Sequence, residues 1–142
     1  MINREQIYSR LFDLWPTIIS GIITRSRRLK HWSDVQPSEQ PALFQVEGDG
    51  VPTRIKGLPT KWILGASLYL YTNCGQDPSA IPGIQANQIM DTVEAALAYD
   101  TSGFQTLGGL VEEVRFAGHV RVDEGLLGPQ SVILMGVEIV AV

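Results

Sequence analysis

The 142-residue chain is poor in the residues on which disulfides and metal sites depend. It has one cysteine, Cys74, and two histidines, His31 and His119, which stand far apart. A lone thiol cannot form an internal disulfide, and this suits a reducing compartment. A zinc site uses three or four His or Cys ligands, usually in close pairs. We therefore expect the protein to bind no metal ion and no cofactor.

Long apolar runs are also missing. The run over residues 14–23 is ten residues long, contains Pro16 and Gly21, and is followed rather than preceded by its basic residues. A membrane-spanning helix needs about 20 apolar residues, and a secretory signal carries its positive charge before the apolar stretch. Hydrophobic residues make up 44% of the chain and charged residues 18%, as in a globular domain. We expect a single domain over residues 1–142, made in the cytoplasm, with no membrane partner.

The net charge of −4 is unevenly distributed. Residues 1–61 contain nine Lys or Arg and six Asp or Glu, whereas residues 62–142 contain two and nine. Such asymmetry is typical of a chain whose basic part meets an anionic partner. It is equally typical of subunits that associate head to tail, a basic patch against an acidic one. Solvated surface also accounts for scattered charges, so all three interpretations stay open.

Hydrophobic periodicity predicts two helices and about five strands. The first helix begins after Asn3, a favoured N-cap, with Gln6 three residues later as a capping box requires. Pro16 should kink or end this helix. Apolar residues at helical spacing place the second helix at residues 83–99. Alternating or continuous apolar runs place strands at residues 22–29, 42–47, 61–72, 114–123 and 131–142.

The order of these elements, α-β-β-β-α-β-β, indicates an α+β fold. We expect one antiparallel sheet with both helices packed on a face. The Gly48-Asp49-Gly50 tripeptide is a turn signal and should reverse the chain after the second strand. Residues 33–41 and 47–59 are rich in polar residues, Pro and Gly, which predicts two long loops. Exposed loops of this kind offer surface for docking.

Little in the chain is typical of catalytic machinery. No nucleophile motif surrounds Cys74, although pairing with His119 or His31 in the folded protein stays open. The glycine pairs match neither a phosphate loop nor a dinucleotide fingerprint, and we assign them to turns.

Two pairs of carboxylates flank one predicted strand. Glu112 and Glu113 precede it, and Asp123 and Glu124 end it. About ten extended residues separate the pairs by roughly 33 Å, which is too far for joint acid–base catalysis of the glycosidase type. They are interpreted as solvated strand ends or as an acidic surface lining.

The segment RSRRLKHW, residues 25–32, combines basic residues with an aromatic one. Such a pattern occurs in nucleic-acid-binding proteins, but eight residues in an acidic chain are a small footprint. Arg and Trp are enriched where proteins contact one another, and charge also keeps a strand edge soluble. A protein–protein contact is the favoured interpretation, and its candidate residues are Arg25, Arg27, Arg28 and Trp32.

Three segments together resemble a known family. RSRRLKHWSDVQPSEQPALFQ, LPTKWILGASLYLYT and LGGLVEEVRFAGHVRVDEGLLGPQSVILMGVEIV are similar, in order and spacing, to the tail terminator or tail completion proteins of siphophage-type bacteriophages and prophages. The similarity covers nearly the whole chain and consists of apolar strands and loop residues, not of a catalytic signature. It implies a non-enzymatic subunit of the virion tail, assembled in the host cytoplasm.

The resemblance also implies partners. Such a subunit forms a homo-oligomeric ring, commonly a hexamer, on the last ring of the major tail tube protein, where it stops polymerisation and meets the head–tail connector. DNA would pass through the lumen without specific binding, and carboxylates would repel its phosphates. The candidate lumen residues are Glu112, Glu113, Asp123 and Glu124.

Other functions remain open on the sequence alone. A head–tail connector, or neck protein, of the same phages would share the size and the ring. A small hydrolase would use Cys74 or His119. A nucleic-acid-binding accessory protein is a third possibility, and its binding would depend on salt.

Overall fold

The computed structural model describes residues 1–98 and 103–142 as a six-stranded sheet with two helices. The chain is therefore α+β, as predicted. The elements, in order, are α1 (Arg4–Ile18), β1 (Thr24–Ser26), β2 (Ala42–Thr53), β3 (Lys61–Asn73), α2 (Pro82–Leu97), β4 (Glu113–Phe116), β5 (Arg121–Leu127) and β6 (Gln130–Ala141). Two short 3-10 turns, Trp32–Asp34 and Pro37–Glu39, lie between β1 and β2.

The sheet is mixed, not antiparallel throughout as predicted. Its order is β1-β2-β3-β6, and both β4 and β5 pair with the remaining edge of β6. β1 runs parallel to β2, and the other pairings among the described strands are antiparallel. A parallel pair needs a crossover of about a dozen residues or more. Residues 27–41 supply one, because the chain folds over the sheet in two 3-10 turns before entering β2.

The strand count differs from the prediction at one place. Residues 114–123 were expected to form one strand, but they belong to β4 and β5 with a break at residues 117–120. Gly118 lies in the break with a φ of +69°, a conformation that ends a regular strand and that glycine adopts readily. The true order is thus α-β-β-β-α-β-β-β. The first strand is also shorter than residues 22–29.

The predicted turn at Gly48-Asp49-Gly50 is wrong. β2 continues to Thr53, and the three residues form a β-bulge in its pairing with β3. A bulge inserts an unpaired residue and bends the strand, so a Gly-rich segment does not have to reverse the chain. A Cβ at Gly48 would lie 3.3 Å from the Gly65 backbone carbon, which explains the glycine there. The chain reverses later, at residues 54–60.

The main core lies between the helices and one face of the sheet. Asn3 caps α1 by accepting a hydrogen bond from the Gln6 backbone N–H at 3.1 Å, as predicted. Helix α1 ends at Ile18, two residues after Pro16. Helix α2 ends at Leu97, and the predicted end at Tyr99 lies outside the described residues. The buried helix residues are Ile7, Tyr8, Leu11 and Trp15 of α1 and Gly83, Ala86, Val93 and Leu97 of α2.

A buried amide joins α1 to the sheet. Trp15 Nε1 donates to Gln45 Oε1 at 2.8 Å, and Gln45 Nε2 donates to the Tyr8 carbonyl oxygen at 3.0 Å. Gln45 is 1% exposed, so these bonds replace water that the amide would otherwise need.

A smaller core lies on the opposite face of the sheet. Val35, in the crossover after β1, packs on Phe44 and Tyr71. The predicted polar loop at residues 33–41 is therefore anchored by one apolar residue. In the described part of the chain, no helix is long and apolar enough to cross a membrane.

We expect Gly136→Ala to destabilise the fold by about 1–3 kcal/mol, the usual cost of forcing extra atoms into a packed site. A Cβ at residue 136 would lie 2.7 Å from the Ala117 carbonyl oxygen. The Ala117 N–H donates to the Gly136 carbonyl at 3.0 Å, so the clash would displace the break between β4 and β5. Urea denaturation measures the effect. The control is Ser67→Ala, at the residue of β3 that pairs with Gly136, and it should leave the free energy of unfolding nearly unchanged. Equal stability of the two variants would contradict the steric argument.

Candidate functional site

The outer half of the β2–β3 hairpin is an exposed edge of the sheet, because β1 pairs only with Ala42–Phe44 of β2, whereas Trp62–Leu64 of β3 still pair with β6. We define the arm as residues 47–62 and its tip as residues 54–60. β2 is buried from Ala42 to Gln45 and exposed from residue 47 onward. Val51, Ile55 and Leu58 are 56%, 59% and 63% exposed. Three large apolar side chains exposed on one short segment are unusual for a surface that meets water alone.

The base of the arm is braced by the N-terminus. The Arg4 guanidinium lies 4.3 Å from the centre of the Trp62 ring, a cation–π contact. An open concavity of about 490 Å³ lies beside it, lined in part by Met1, Ile2 and Arg54. This contact joins the start of α1 to the start of β3.

Two residues of the basic run make contacts within the subunit. Arg25 donates to the Phe12 carbonyl at 2.6 Å and lies over the Phe12 ring at 4.2 Å. Arg27 forms ion pairs with Glu5 at 2.6 Å and Glu47 at 2.9 Å. These contacts fasten β1 to α1 and to the start of the arm. Arg28 and Trp32 are exposed, and the interface role of all four residues stays a prediction.

The Arg27 ion pair predicts a pH effect. The hydrogen bond from Arg27 lowers the pKa of the Glu5 carboxyl below its ordinary value of 4.5. A carboxyl whose pKa is lower in the folded state than in the unfolded state stabilises the fold above the ordinary pKa. This contribution is lost as the pH falls through the lowered pKa of the folded state. Arg27→Gln should return the Glu5 pKa toward 4.5, and NMR titration of the Glu5 carboxyl carbon measures it.

Arg28→Gln is the matched control for that titration. Arg28 belongs to the same basic run and is exposed, so its loss should leave the Glu5 pKa lowered. An unchanged Glu5 pKa in Arg27→Gln would show that the ion pair does not persist in solution.

The crossover after β1 forms one wall of an aromatic pocket on the open face of the sheet. The pocket measures about 330 Å³. Its apolar lining consists of Leu29, Trp32, Tyr69, Tyr71 and Val132, and its polar lining of Lys30, His31 and Asp123.

Hydrogen bonds hold the wall of this aromatic pocket in place. The Tyr71 hydroxyl donates to the Lys30 carbonyl at 2.7 Å, and Gln130 Nε2 donates to the Trp32 carbonyl at 3.4 Å. Burial raises the pKa of Tyr71, so its hydroxyl stays protonated and remains a donor. The pocket is thus preformed, with Leu29 and Trp32 exposed at its mouth.

The four predicted lumen carboxylates lie at two ends of the sheet. Glu113 pairs with Val140 and Asp123 with Val132, eight positions apart along β6, which is about 26 Å. Their side chains also differ in their partners within the subunit. Glu112 pairs with Lys61 at 3.1 Å, Glu113 with Arg115 at 3.0 Å, and Glu124 accepts from the Gly83 N–H of α2 at 3.0 Å. Asp123 is exposed in the aromatic pocket. The lumen role stays a prediction.

The candidate hydrolase residues do not share a site. The Cys74 N–H bonds the Pro129 carbonyl, level with the start of β6, whereas His119 lies in the break between β4 and β5. On either side of His119, the Ala117 N–H donates to the Gly136 carbonyl, and Arg121 pairs with Leu134 of β6. About five residues of β6 separate the two side chains, roughly 17 Å. Cys74 and His119 therefore do not form a nucleophile–base pair. Among residues 1–98 and 103–142, no group of three or more His, Cys, Asp or Glu is placed to hold a metal ion.

Sequence reasoning missed both the arm and the aromatic pocket. The polar, Pro- and Gly-rich residues 47–59 predict a loop, whereas β2 continues to Thr53. The pocket unites residues from β1–β2, β3, β5 and β6, and no local signal relates them. The chain matches no protein-family model, and no curated protein matches its sequence.

Proposed function

We propose that the protein is a structural subunit of the phage tail-terminator kind, which forms a ring on the end of a tail tube, stops its growth and presents a surface to the head–tail connector. The observation that carries the proposal is the arm, on which Val51, Ile55 and Leu58 are exposed. Exposed apolar side chains on a braced hairpin are stabilised by a protein partner.

The placement of the two candidate surfaces supports a ring. The arm extends from one end of β3, at Trp62, and the aromatic pocket lies at the other end, at Tyr71. Two different surfaces at opposite ends of a subunit favour head-to-tail association, which closes into a ring when the rotation between subunits permits it. A two-fold dimer would instead use one surface twice.

The resemblance of the three sequence segments to tail terminator proteins supports the specific role. The fold is compatible with it, since a two-layer α+β subunit leaves one sheet face and the arm available for contacts. A head–tail connector is the alternative role, and the experiment below separates the two.

The test combines light scattering with electron microscopy. The mass of the purified protein is measured alone and after mixing with tail tubes assembled from the major tail tube protein, and the tube ends are then imaged. We expect a ring of fixed copy number at one end of each tube and a halt to further growth. Binding to DNA-filled heads but not to tubes would instead identify a connector.

A further variant addresses the hydrolase alternative. The double substitution Cys74→Ala, His119→Ala removes both candidate nucleophilic groups, and Cys74→Ala alone serves as its control. Rings that still cap tubes in both variants would support a structural role. Loss of capping in the double variant, with the fold retained by circular dichroism, would contradict it.

A further inference from the structure

We propose that the concavity beside Trp62 binds an organic phosphate, that is, a phosphate group carried on an apolar or aromatic body. This concavity lies between the start of α1 and the arm tip and measures about 490 Å³. Trp62 and Ile2 in its lining also pack against the main core, so its floor belongs to the folded subunit. The proposal concerns a single subunit and does not depend on the ring.

The lining of the concavity carries charge of one sign. Its two charged side chains are both arginines, and the rest is apolar apart from one hydroxyl. The apolar residues are Met1, Ile2, Pro52, Pro59 and Trp62, and the polar residues are Arg4, Arg54 and Thr60. Such a lining is complementary to an anion that brings an apolar body with it.

The Arg4 guanidinium is positioned without using its hydrogen-bond donors. It lies over the Trp62 ring, 4.3 Å from the ring centre. A guanidinium stacked in this way keeps its N–H donors in its own plane, where they match the oxygens of a phosphate in pairs. Among the described residues, neither Arg4 nor Arg54 forms an ion pair. Both guanidinium groups are therefore available to an anion.

The carboxylates on the surrounding elements are already paired. Glu5 of α1 and Glu47 of β2 both form ion pairs with Arg27, at 2.6 and 2.9 Å. Glu112 pairs with Lys61 at the start of β3, at 3.1 Å. These pairs are partly neutralised within the subunit, so they oppose the charge of the concavity less than free carboxylates would.

The arm tip adds positive charge beside the concavity. Residues 50–60 contain Arg54 and Lys56 and no acidic residue. Asp49 precedes this segment, but it lines a different concavity together with Gly65 and Gly136. The local excess of positive charge favours an anion with more than one negative charge.

A phosphate monoester fits these groups better than a single carboxylate. It carries a charge of about −1.5 to −2 at pH 7 and several acceptor oxygens. It can therefore accept from Arg4, Arg54 and the Thr60 hydroxyl together, while its body covers the apolar lining. A free small molecule and the phosphorylated end of a nucleic-acid strand share this chemistry, and the test distinguishes them.

NMR titration of the indole N–H groups tests the site. The chain has three tryptophans, so Trp15 and Trp32, which lie outside the concavity, are internal references for Trp62. We expect phenyl phosphate to shift the Trp62 signal with a Kd on the order of a millimolar and inorganic phosphate to bind more weakly. No saturable shift of Trp62, or an equal shift with sodium chloride at the same ionic strength, would overturn the proposal.

Two double variants separate the site from general attraction to a basic surface. Arg4→Gln, Arg54→Gln should weaken phenyl phosphate binding by about tenfold, the scale of two exposed ion pairs. Arg28→Gln, Lys30→Gln removes the same charge from exposed residues outside the concavity and should leave binding unchanged. Equal weakening in the two variants would overturn the proposal.

Short single-stranded oligonucleotides, with and without a 5′-phosphate, identify the source of the phosphate. Tighter binding of the phosphorylated oligonucleotide than of phenyl phosphate would support a strand end as the ligand. Equal or weaker binding would support a free organic phosphate. If the oligonucleotide without the terminal phosphate shifted Trp62 equally, the site would not select a phosphate monoester, and the proposal would be overturned.

Discussion

Under the proposed function, replacing Ile55 and Leu58 with serine will leave the subunit folded and prevent it from forming a ring or capping tail tubes. Each apolar side chain that becomes buried in a contact contributes about 1.5–3 kcal/mol. Losing two should weaken every contact between subunits by at least about a hundredfold. Light scattering and images of tube ends measure the effect, and circular dichroism verifies the fold, since both side chains lie outside the core.

Ile81→Ser, Ile84→Ser provides the control for surface hydrophobicity. These residues lie at the start of α2 and are as exposed as those of the tip. The control variant should assemble normally. If instead the tip variant formed rings at ordinary concentrations, the arm would have no part in assembly and the proposed function would lose its main support.

Trp15→Ala will destabilise the subunit by about 3–5 kcal/mol, which is a large part of the stability of a domain this size. Trp15 has no exposed surface and its indole N–H donates to Gln45 Oε1. The substitution therefore leaves a cavity beneath α1 and removes a hydrogen bond from a buried amide. Denaturation in urea, followed by circular dichroism, measures the loss.

Conservative substitutions separate the hydrogen bond from the packing. Trp15→Phe and Gln45→Leu each remove one partner and should each cost about 1–3 kcal/mol, because the other partner stays buried and unpaired. The double variant should be less destabilised than the sum by about 1 kcal/mol or more. A strictly additive result would contradict a direct bond between the two side chains.

Much of the secondary structure could be predicted because its causes are local. The cap at Asn3, the apolar stripe of α1 and the alternation over β3 each express a periodicity that a short window contains. The class of the fold followed from the order of such elements. The predictions failed where one pattern fits two conformations. Gly48-Asp49-Gly50 suits a turn and a bulge alike, and the choice depends on the pairing of the flanking residues with Leu64 and Ala66 in β3.

The candidate site was less predictable for the same reason. Trp32 and the arginines could be singled out by composition, but composition does not tell a surface charge from an internal bond. Arg27 lies between Glu5 and Glu47 only because β1 is placed beside α1. The parallel pairing of β1 with β2 could not be predicted from the sequence either, since strand direction depends on where a crossover returns the chain.

The sequence by itself determined the class of the fold, the two helices, the course of β3 and β6, and the uneven distribution of charge. These depend on residue type and spacing along the chain. Only the tertiary structure decided that β2 continues through residues 47–53 as an exposed edge and that Trp32, Tyr71 and Asp123 line one pocket. Burial and hydrogen bonding between distant segments select among locally equivalent conformations, because the free energy of packing exceeds the small differences in local preference.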